Sequence, residues 1–109
     1  MGKPIRGGVY AIRNASTGEM YIGSTNHLDW RWITHRSRLT RLRHSNRALQ
    51  QAWNRDGPAA FSMIVLRPVA CDGALIAAER EEEARARAVG TVLYNDQVAR
   101  GRRPRKAAA

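Results

Sequence analysis

The sequence predicts an α+β domain, a three-stranded antiparallel β-sheet flanked by helices in the order β-β-α-α-β-α. Three observations lead there. Two short β-type runs, at residues 9–13 and 20–23, bracket the turn-forming cluster Asn14-Ala15-Ser16-Thr17-Gly18. An apolar stripe at helical spacing follows, through Leu28, Trp32, His35, Leu39 and Leu42. A largely apolar run, Phe61-Ser62-Met63-Ile64-Val65-Leu66, then precedes a charged stretch whose Glu and Arg residues are spaced for helical pairing.

Each element has its own local signal. Residues 1–7 read as a flexible leader. In the hairpin, period-two alternation puts Tyr10 and Ile12 on one face of the first strand and Tyr21 and Gly23 on one face of the second. A turn centred on Ala15-Ser16 makes Tyr10 and Tyr21 cross-strand neighbours. Asn26 is the expected cap of a first helix over residues 28–42. Ser45 or Asn46 opens a second helix through Leu49, Ala52 and Trp53, which Asp56-Gly57-Pro58 ends. The apolar third run is expected at the centre of the sheet. Asp72 or Gly73 opens a third helix to about Val89, stopped by Gly90, and residues 91–95 return to the body. Residues 8–96 thus form the domain, and residues 97–109 form a basic tail with almost no core-forming side chains.

Composition narrows the partners. A chain of 109 residues is the size of one domain. It carries 19 Lys and Arg against 9 Asp and Glu, a formal charge of +10, which favours a polyanion and above all nucleic acid. No basic amphipathic helix with a broad apolar face suggests a membrane surface, and no apolar run is long enough to span a bilayer. Cys71 is the only cysteine, which excludes an internal disulfide and a multi-thiolate zinc site. It reads as a reduced, partly buried thiol of an intracellular protein. The first residues lack the apolar run of a signal peptide.

The residues able to carry chemistry begin with Gly8-Val9-Tyr10 and Tyr21-Ile22-Gly23. Two phenols on one hairpin face, each near a glycine, can frame a small anion-binding cleft. Arg31 and His35 lie four residues apart on the first helix and so share a face. On the third helix, Glu81 has Arg85 at i+4, Glu83 has Arg87 at i+4 and Glu82 has Arg85 at i+3. These three are expected on a solvated face. Glu79 has no basic residue three or four positions away and continues the stripe begun by Leu75, so it is expected to look inward. An inward carboxylate without a cation needs a metal or a hydrogen-bond donor.

In this order and spacing, over residues 8–95, the sequence resembles the GIY-YIG nuclease superfamily, in its stand-alone, homing-endonuclease-like form, with Val9 replacing isoleucine. The resemblance implies a metal-dependent DNA endonuclease of a phage or mobile element, with one Mg²⁺ or Mn²⁺ ion at its site. It implies Tyr10 as general base toward the attacking water and Tyr21 as an orienting hydroxyl. Arg31 becomes the phosphate and transition-state stabiliser, and His35 an assistant in proton transfer. Glu79 becomes the metal ligand, with Glu82 second to it because relatives carry more apolar residues where this helix has Arg80-Glu81-Glu82-Glu83. Asn95 is implied to brace the site by hydrogen bonds. His44 fits the polar position that follows the family's histidine. It is grouped with Arg36, Arg38, Arg41, Arg43 and Arg47 as a DNA-binding track, to which Arg100, Arg102, Arg103, Arg105 and Lys106 of the tail add non-specific affinity. No element is evidently built to read base edges, so specificity is expected from the helices, a homodimer or a separate partner. The alternative reading is a non-catalytic nucleic-acid-binding module of the same fold.

Overall fold

The computed structural model describes residues 6–97; residues 98–109 of the expected tail and 1–5 of the expected leader lie outside them, while Gln97, the first tail residue, donates to Glu19 at 3.0 Å. Its elements are β1 (Gly8–Asn14), β2 (Met20–Thr25), α1 (Leu28–Thr40), α2 (Arg47–Asp56), β3 (Phe61–Pro68) and α3 (Leu75–Ala88), with short 3₁₀ turns at Pro58–Ala60, Asp72–Ala74 and Tyr94–Asp96. The sheet is antiparallel in the order β2-β1-β3. The predicted fold class is the observed one.

The sheet is covered on both faces. Tyr10 and Ile12 of β1 pack with Leu39 of α1, Leu49 and Trp53 of α2, Phe61 and Tyr94. Val9, Ala11 and Ile22, on the reverse face, pack with Ala78 of α3 and with Leu93. Burial on both faces makes β1 the central strand. The apolar run of β3 lies instead at an edge, with Ile64 and Val65 exposed. Apolar continuity marks a strand but does not say how many neighbours it has. A register shift between Val9 and Tyr10 and the terminal Pro68 interrupt the β1–β3 ladder, as is common near a sheet edge.

The hairpin turn sits one residue later than expected. Gly18 takes a φ of +82° and donates to the Asn14 carbonyl at 2.7 Å. This offsets the strand register by two residues, so Tyr10 lies opposite Gly23, and Tyr21 opposite Ile12. A two-residue offset preserves the side-chain period, and both phenols remain on the same face.

Several ends differ from expectation because their partners are distant in sequence. Helix α1 starts after His27, not Asn26, and no side chain caps it. The Leu28 N–H is met instead by the Arg6 carbonyl at 2.9 Å, and the Gly7 carbonyl accepts from Val69 at 3.0 Å. Arg6 and Gly7, placed in the leader by sequence, are therefore tied to the body. The same helix ends at Thr40. Leu42 adopts a φ of +61°, Leu42 N–H bonds Leu39 O, and Arg43 N–H bonds Arg38 O, the pattern of a Schellman stop. Leu42, expected on the apolar stripe, is 68% exposed. Asn46 caps α2 as expected, accepting from Leu49 N–H at 2.9 Å. Cys71 is exposed rather than partly buried.

Candidate active site

The site forms where the hairpin meets α1. Tyr10 and Tyr21 project from the sheet face that α1 covers, and α1 presents Arg31, His35 and Arg38 along one side through helical spacing. The Tyr10 hydroxyl lies 2.6 Å from His35 Nε2, and both residues are almost fully buried, at 2% and 4% exposure. Tyr21 is half-buried, with its ring edge-on to His35 at 5.5 Å and to His44 at 5.7 Å between centroids.

His44 was grouped with the DNA track, but it is 7% exposed and lies behind His35, with Nε2 2.7 Å from His35 Nδ1. The loop that carries it is anchored to α2. The His44 N–H donates to Gln50 Oε1, and Gln50 Nε2 donates to the Leu39 carbonyl near the end of α1. Gln50 is a site-supporting residue that the sequence reading missed. Its only sequence signal was a polar residue beside Leu49 on the inner side of α2.

Glu79 approaches from the other side of the sheet. Ser24, on the face opposite Tyr21 and Gly23, donates from Oγ to Glu79 Oε1 at 2.7 Å. Its charge still reaches the phenols and raises the pKa of both. The other three glutamates divide differently from the expected solvated face. Glu81 is exposed but pairs with Arg67 of β3 at 2.5 Å rather than with Arg85. Glu82 is half-buried and shared between Arg67 at 3.5 Å and Arg85 at 4.0 Å. Glu83 is half-buried and 3.6 Å from Arg87. Among the described residues Glu79 has no ion pair, whereas Glu82 has two.

Asn95 grips the backbone of β2 at both polar atoms of Ile22. It accepts from the Ile22 N–H and donates to the Ile22 carbonyl, each at 2.8 Å. These bonds replace a missing strand partner at the free edge of β2, between the two residues Tyr21 and Gly23 that face the site.

The electrostatics oppose one expectation. Burial pushes the Tyr10 hydroxyl well above the usual phenol range, helped by Tyr21 and Glu79, and Arg31 and Arg38 pull against it without prevailing. Tyr21 is raised by burial and then by Glu79. The lowering by Arg31 predicted from sequence exists but is outweighed. Burial, then the neighbouring His44, Arg31 and Arg38, push His35 down to about 3, so it is neutral at physiological pH. Burial and Arg38 also lower His44.

The model of the GIY-YIG catalytic domain matches residues 6–83. The chain belongs to the GIY-YIG family. Its fold is a nuclease fold, and solved structures agree with that architecture. The catalytic domain of the homing endonuclease I-TevI superposes with a TM-score of 0.71 at 22% identity, over 80% of this chain and 96% of that one. A glutamate-to-alanine mutant of the catalytic domain of the intron endonuclease I-TevI gives 0.66 at 21% identity, over 85% and 97%. No curated protein sequence matches significantly.

In this GIY-YIG domain no group of three or more His, Cys, Asp or Glu side chains among the described residues is placed to hold a metal. The two buried histidines bond each other and Tyr10, which leaves no imidazole pair for zinc. A lone half-buried carboxylate beside a serine hydroxyl fits a hard, largely hydrated cation that takes oxygen ligands.

The arginine track runs over α1, the loop beyond it and the first residue of α2. Arg36, Arg38, Arg41, Arg43 and Arg47 are all exposed, and Arg36 stacks over the Trp32 ring at 5.8 Å. An open groove of about 550 Å³ on this side is lined by Trp30, Ile33, Thr34, Ser37, Arg38, Arg41 and Arg43. Trp30 and Ile33 are 65% and 60% exposed, an apolar pair that the sequence reading did not single out. The tail arginines lie outside the described residues. No described helix is long and apolar enough to cross a membrane.

Proposed function

We propose that this GIY-YIG domain is a divalent-metal-dependent endodeoxyribonuclease that hydrolyses phosphodiester bonds at a one-metal site. The observation that carries the reading is the meeting of Tyr10, Tyr21, Arg31 and His35 on one face, with an ion-pair-free Glu79 within electrostatic reach of both phenols. Glu79 is the metal ligand in preference to Glu82, whose carboxylate is already shared between two arginines.

In this reading Arg31 binds the scissile phosphate. Its guanidinium makes no hydrogen bond or ion pair among the described residues, so its donors are available to two phosphate oxygens. Tyr10, as phenolate, takes a proton from the attacking water while the water oxygen bonds to phosphorus and the bond to the 3′ oxygen breaks. Tyr21 orients the water or the phosphate through its hydroxyl. When bound, Mg²⁺ or Mn²⁺ supplies positive charge that stabilises the phosphate and the departing oxygen and offsets the Glu79 charge that raises Tyr10. His35 holds the Tyr10 oxygen in place. Asn95 keeps β2, and with it Tyr21, in position. DNA lies along the α1 arginines, with a homodimer or a separate partner choosing the sequence.

The test is a plasmid assay with and without metal. Wild-type protein nicks or cuts DNA with Mg²⁺ or Mn²⁺ and spares it with EDTA, and Glu79→Ala loses cleavage but keeps salt-sensitive DNA binding. Wild-type protein that binds DNA yet never cuts across metals and substrates establishes the non-catalytic binding module instead.

A further inference from the structure

The directions of the hydrogen bonds between Tyr10, His35 and His44 follow from the far end of the chain they form. The backbone N–H of Asn46 can only donate, and it meets His44 Nδ1 at 3.0 Å. His44 Nδ1 therefore carries a lone pair, and the ring is neutral with its proton on Nε2. That nitrogen is 2.7 Å from His35 Nδ1, which must accept. The proton of His35 is then on Nε2, 2.6 Å from the Tyr10 oxygen. Any other assignment sets two N–H groups against each other or removes both protons from one ring.

We propose that His44 is a positioning residue that locks His35 in its Nε2–H tautomer, so that His35 donates to Tyr10 Oη and favours the phenolate over the phenol. The nuclease reading enters only through the use made of that phenolate; the tautomer assignment stands on geometry alone.

The lock is held at both ends. Asn46 is the N-cap of α2, and its side chain is committed to Leu49 N–H and to the Tyr94 carbonyl, so its own N–H cannot turn away without unwinding the helix start. The His35 and His44 rings are nearly parallel, 23° apart with centroids at 4.9 Å, and Tyr21 packs edge-on against both. The chain therefore has one polarity, pointing from the α2 cap toward the phenol. This has a chemical consequence. His35 cannot take the Tyr10 proton, because its Nε2 is already protonated and reversal would bring a His44 Nδ1–H against the Asn46 N–H. The phenol proton must leave to an acceptor other than His35, and the phenolate so formed accepts a hydrogen bond from a fixed, buried donor. Such outer partners typically change activity ~10–100-fold when removed.

The experiment uses the full chain with ¹⁵N-labelled histidine. Long-range ¹H–¹⁵N spectra of the wild type read both tautomers directly. The expected result is a pyrrole-type Nε2 and a pyridine-type Nδ1 in both His35 and His44; an Nδ1–H form of His35 overturns the proposal. His44→Leu removes the donor. It is expected to mix the His35 tautomers and to lower kcat ~10–100-fold with unchanged Kd for DNA. His44→Gln, whose amide N–H can reach His35 Nδ1, restores most of the lost kcat even where the leucine variant folds poorly. Loss of DNA affinity with unchanged kcat returns His44 to the DNA-binding track and overturns the proposal, as does a well-folded His44→Leu that cuts like wild type. A wild type with the stated tautomers that cuts no DNA sinks the nuclease reading and leaves the tautomer lock standing.

Discussion

Tyr10 lies across the hairpin from Gly23, and its ring fills the space that a side chain at position 23 would need. A Cβ placed on Gly23 would stand 2.5 Å from the Tyr10 hydroxyl oxygen and 2.7 Å from the carbon that bears it. The phenol cannot retreat freely, because its oxygen is held by His35 and its ring is buried in the core. Gly23→Ala is therefore expected to displace Tyr10, costing about 1–3 kcal/mol of stability, as overpacking does. Its cleavage should fall further than a general destabilisation explains. Denaturant midpoints paired with cleavage rates well below the melting range check this. A variant that keeps wild-type rates shows that the phenol position is not critical.

Arg31 is charged, has available donors, and pulls against the elevated pKa values of both phenols. Arg31→Ala should lower kcat by ~10²–10³, the usual loss for one transition-state donor. Arg31→Lys should recover little of it, because an ammonium cannot bridge two phosphate oxygens as a planar fork does. Single-turnover cleavage at saturating protein measures the effect. Equal rates for the lysine variant and the wild type would leave Arg31 acting only as a diffuse positive charge.

Much of the fold was legible because it is encoded locally. The hairpin alternation, the Asn46 cap and the Gly57 and Gly90 stops are each readable within a few residues, and all are observed. The sites of failure share a cause. The start of α1 depends on the Arg6 carbonyl, and Glu81 chooses Arg67 on a strand 14 residues away over Arg85 on its own helix. A local pattern carries no record of such partners. The candidate site behaved likewise. Periodicity put Tyr10 and Tyr21 on one face of the hairpin and Arg31 and His35 on one face of a helix, but not the two pairs against each other. The burial of His44, the Ser24 bond to Glu79 and the grip of Asn95 on Ile22 arise only from tertiary packing.

Leu42 occupies the left-handed position of the Schellman stop after α1, at a φ of +61°, with its side chain exposed. That conformation costs an L-residue about 1–2 kcal/mol, and an exposed leucine returns little. Glycine removes the strain but loses about 0.5–1 kcal/mol of backbone entropy relative to alanine. Leu42→Gly should thus raise stability by roughly 0–1.5 kcal/mol, the difference of those two ranges. Thermal and urea denaturation at neutral pH measure it. Destabilisation would mean that the φ at Leu42 stores less strain than the unfolded-state entropy that glycine adds.

The buried histidines make stability fall on the acid side. His35 is held down to about 3 in the folded protein, by burial and by His44, Arg31 and Arg38, against about 6.5 unfolded. Above 6.5 both states leave the ring neutral and it contributes no pH dependence. As pH falls below 6.5, the unfolded chain gains a proton that the folded chain refuses, and stability declines until the folded value near 3 is passed. The slope from one such group is about 1.4 kcal/mol per pH unit, so about 2 kcal/mol is lost between pH 6.5 and 5. His44 is lowered too and adds in the same direction. The carboxylates held low by arginine, Asp56 and Asp96, lose their contribution only in a more acidic window. Urea midpoints at pH 7, 6 and 5 should fall steadily in wild type and more gently in His44→Gln. A flat wild-type profile would mean that the histidines accept protons in place, which the hydrogen-bond chain forbids.

The outer side of α1 makes a prediction independent of catalysis. Arg41 and Arg43 line an open groove with Trp30 and Ile33, about 550 Å³ in volume, and no carboxylate lines it. If phosphates lie there, each arginine releases about one counterion on binding, so Arg41→Ala and Arg43→Ala should each reduce the slope of log K against log salt by about 1. Trp30→Ala should weaken binding without changing that slope, because a stacking or wedge contact is uncharged, at a cost of about 1–3 kcal/mol if a base stacks on it. Titrations of a fluorescent DNA at several salt concentrations, using Glu79→Ala to prevent cleavage, separate the two effects. Arginine variants with an unaltered slope would place the DNA path elsewhere, and would leave the apolar pair of Trp30 and Ile33 without a nucleic-acid role.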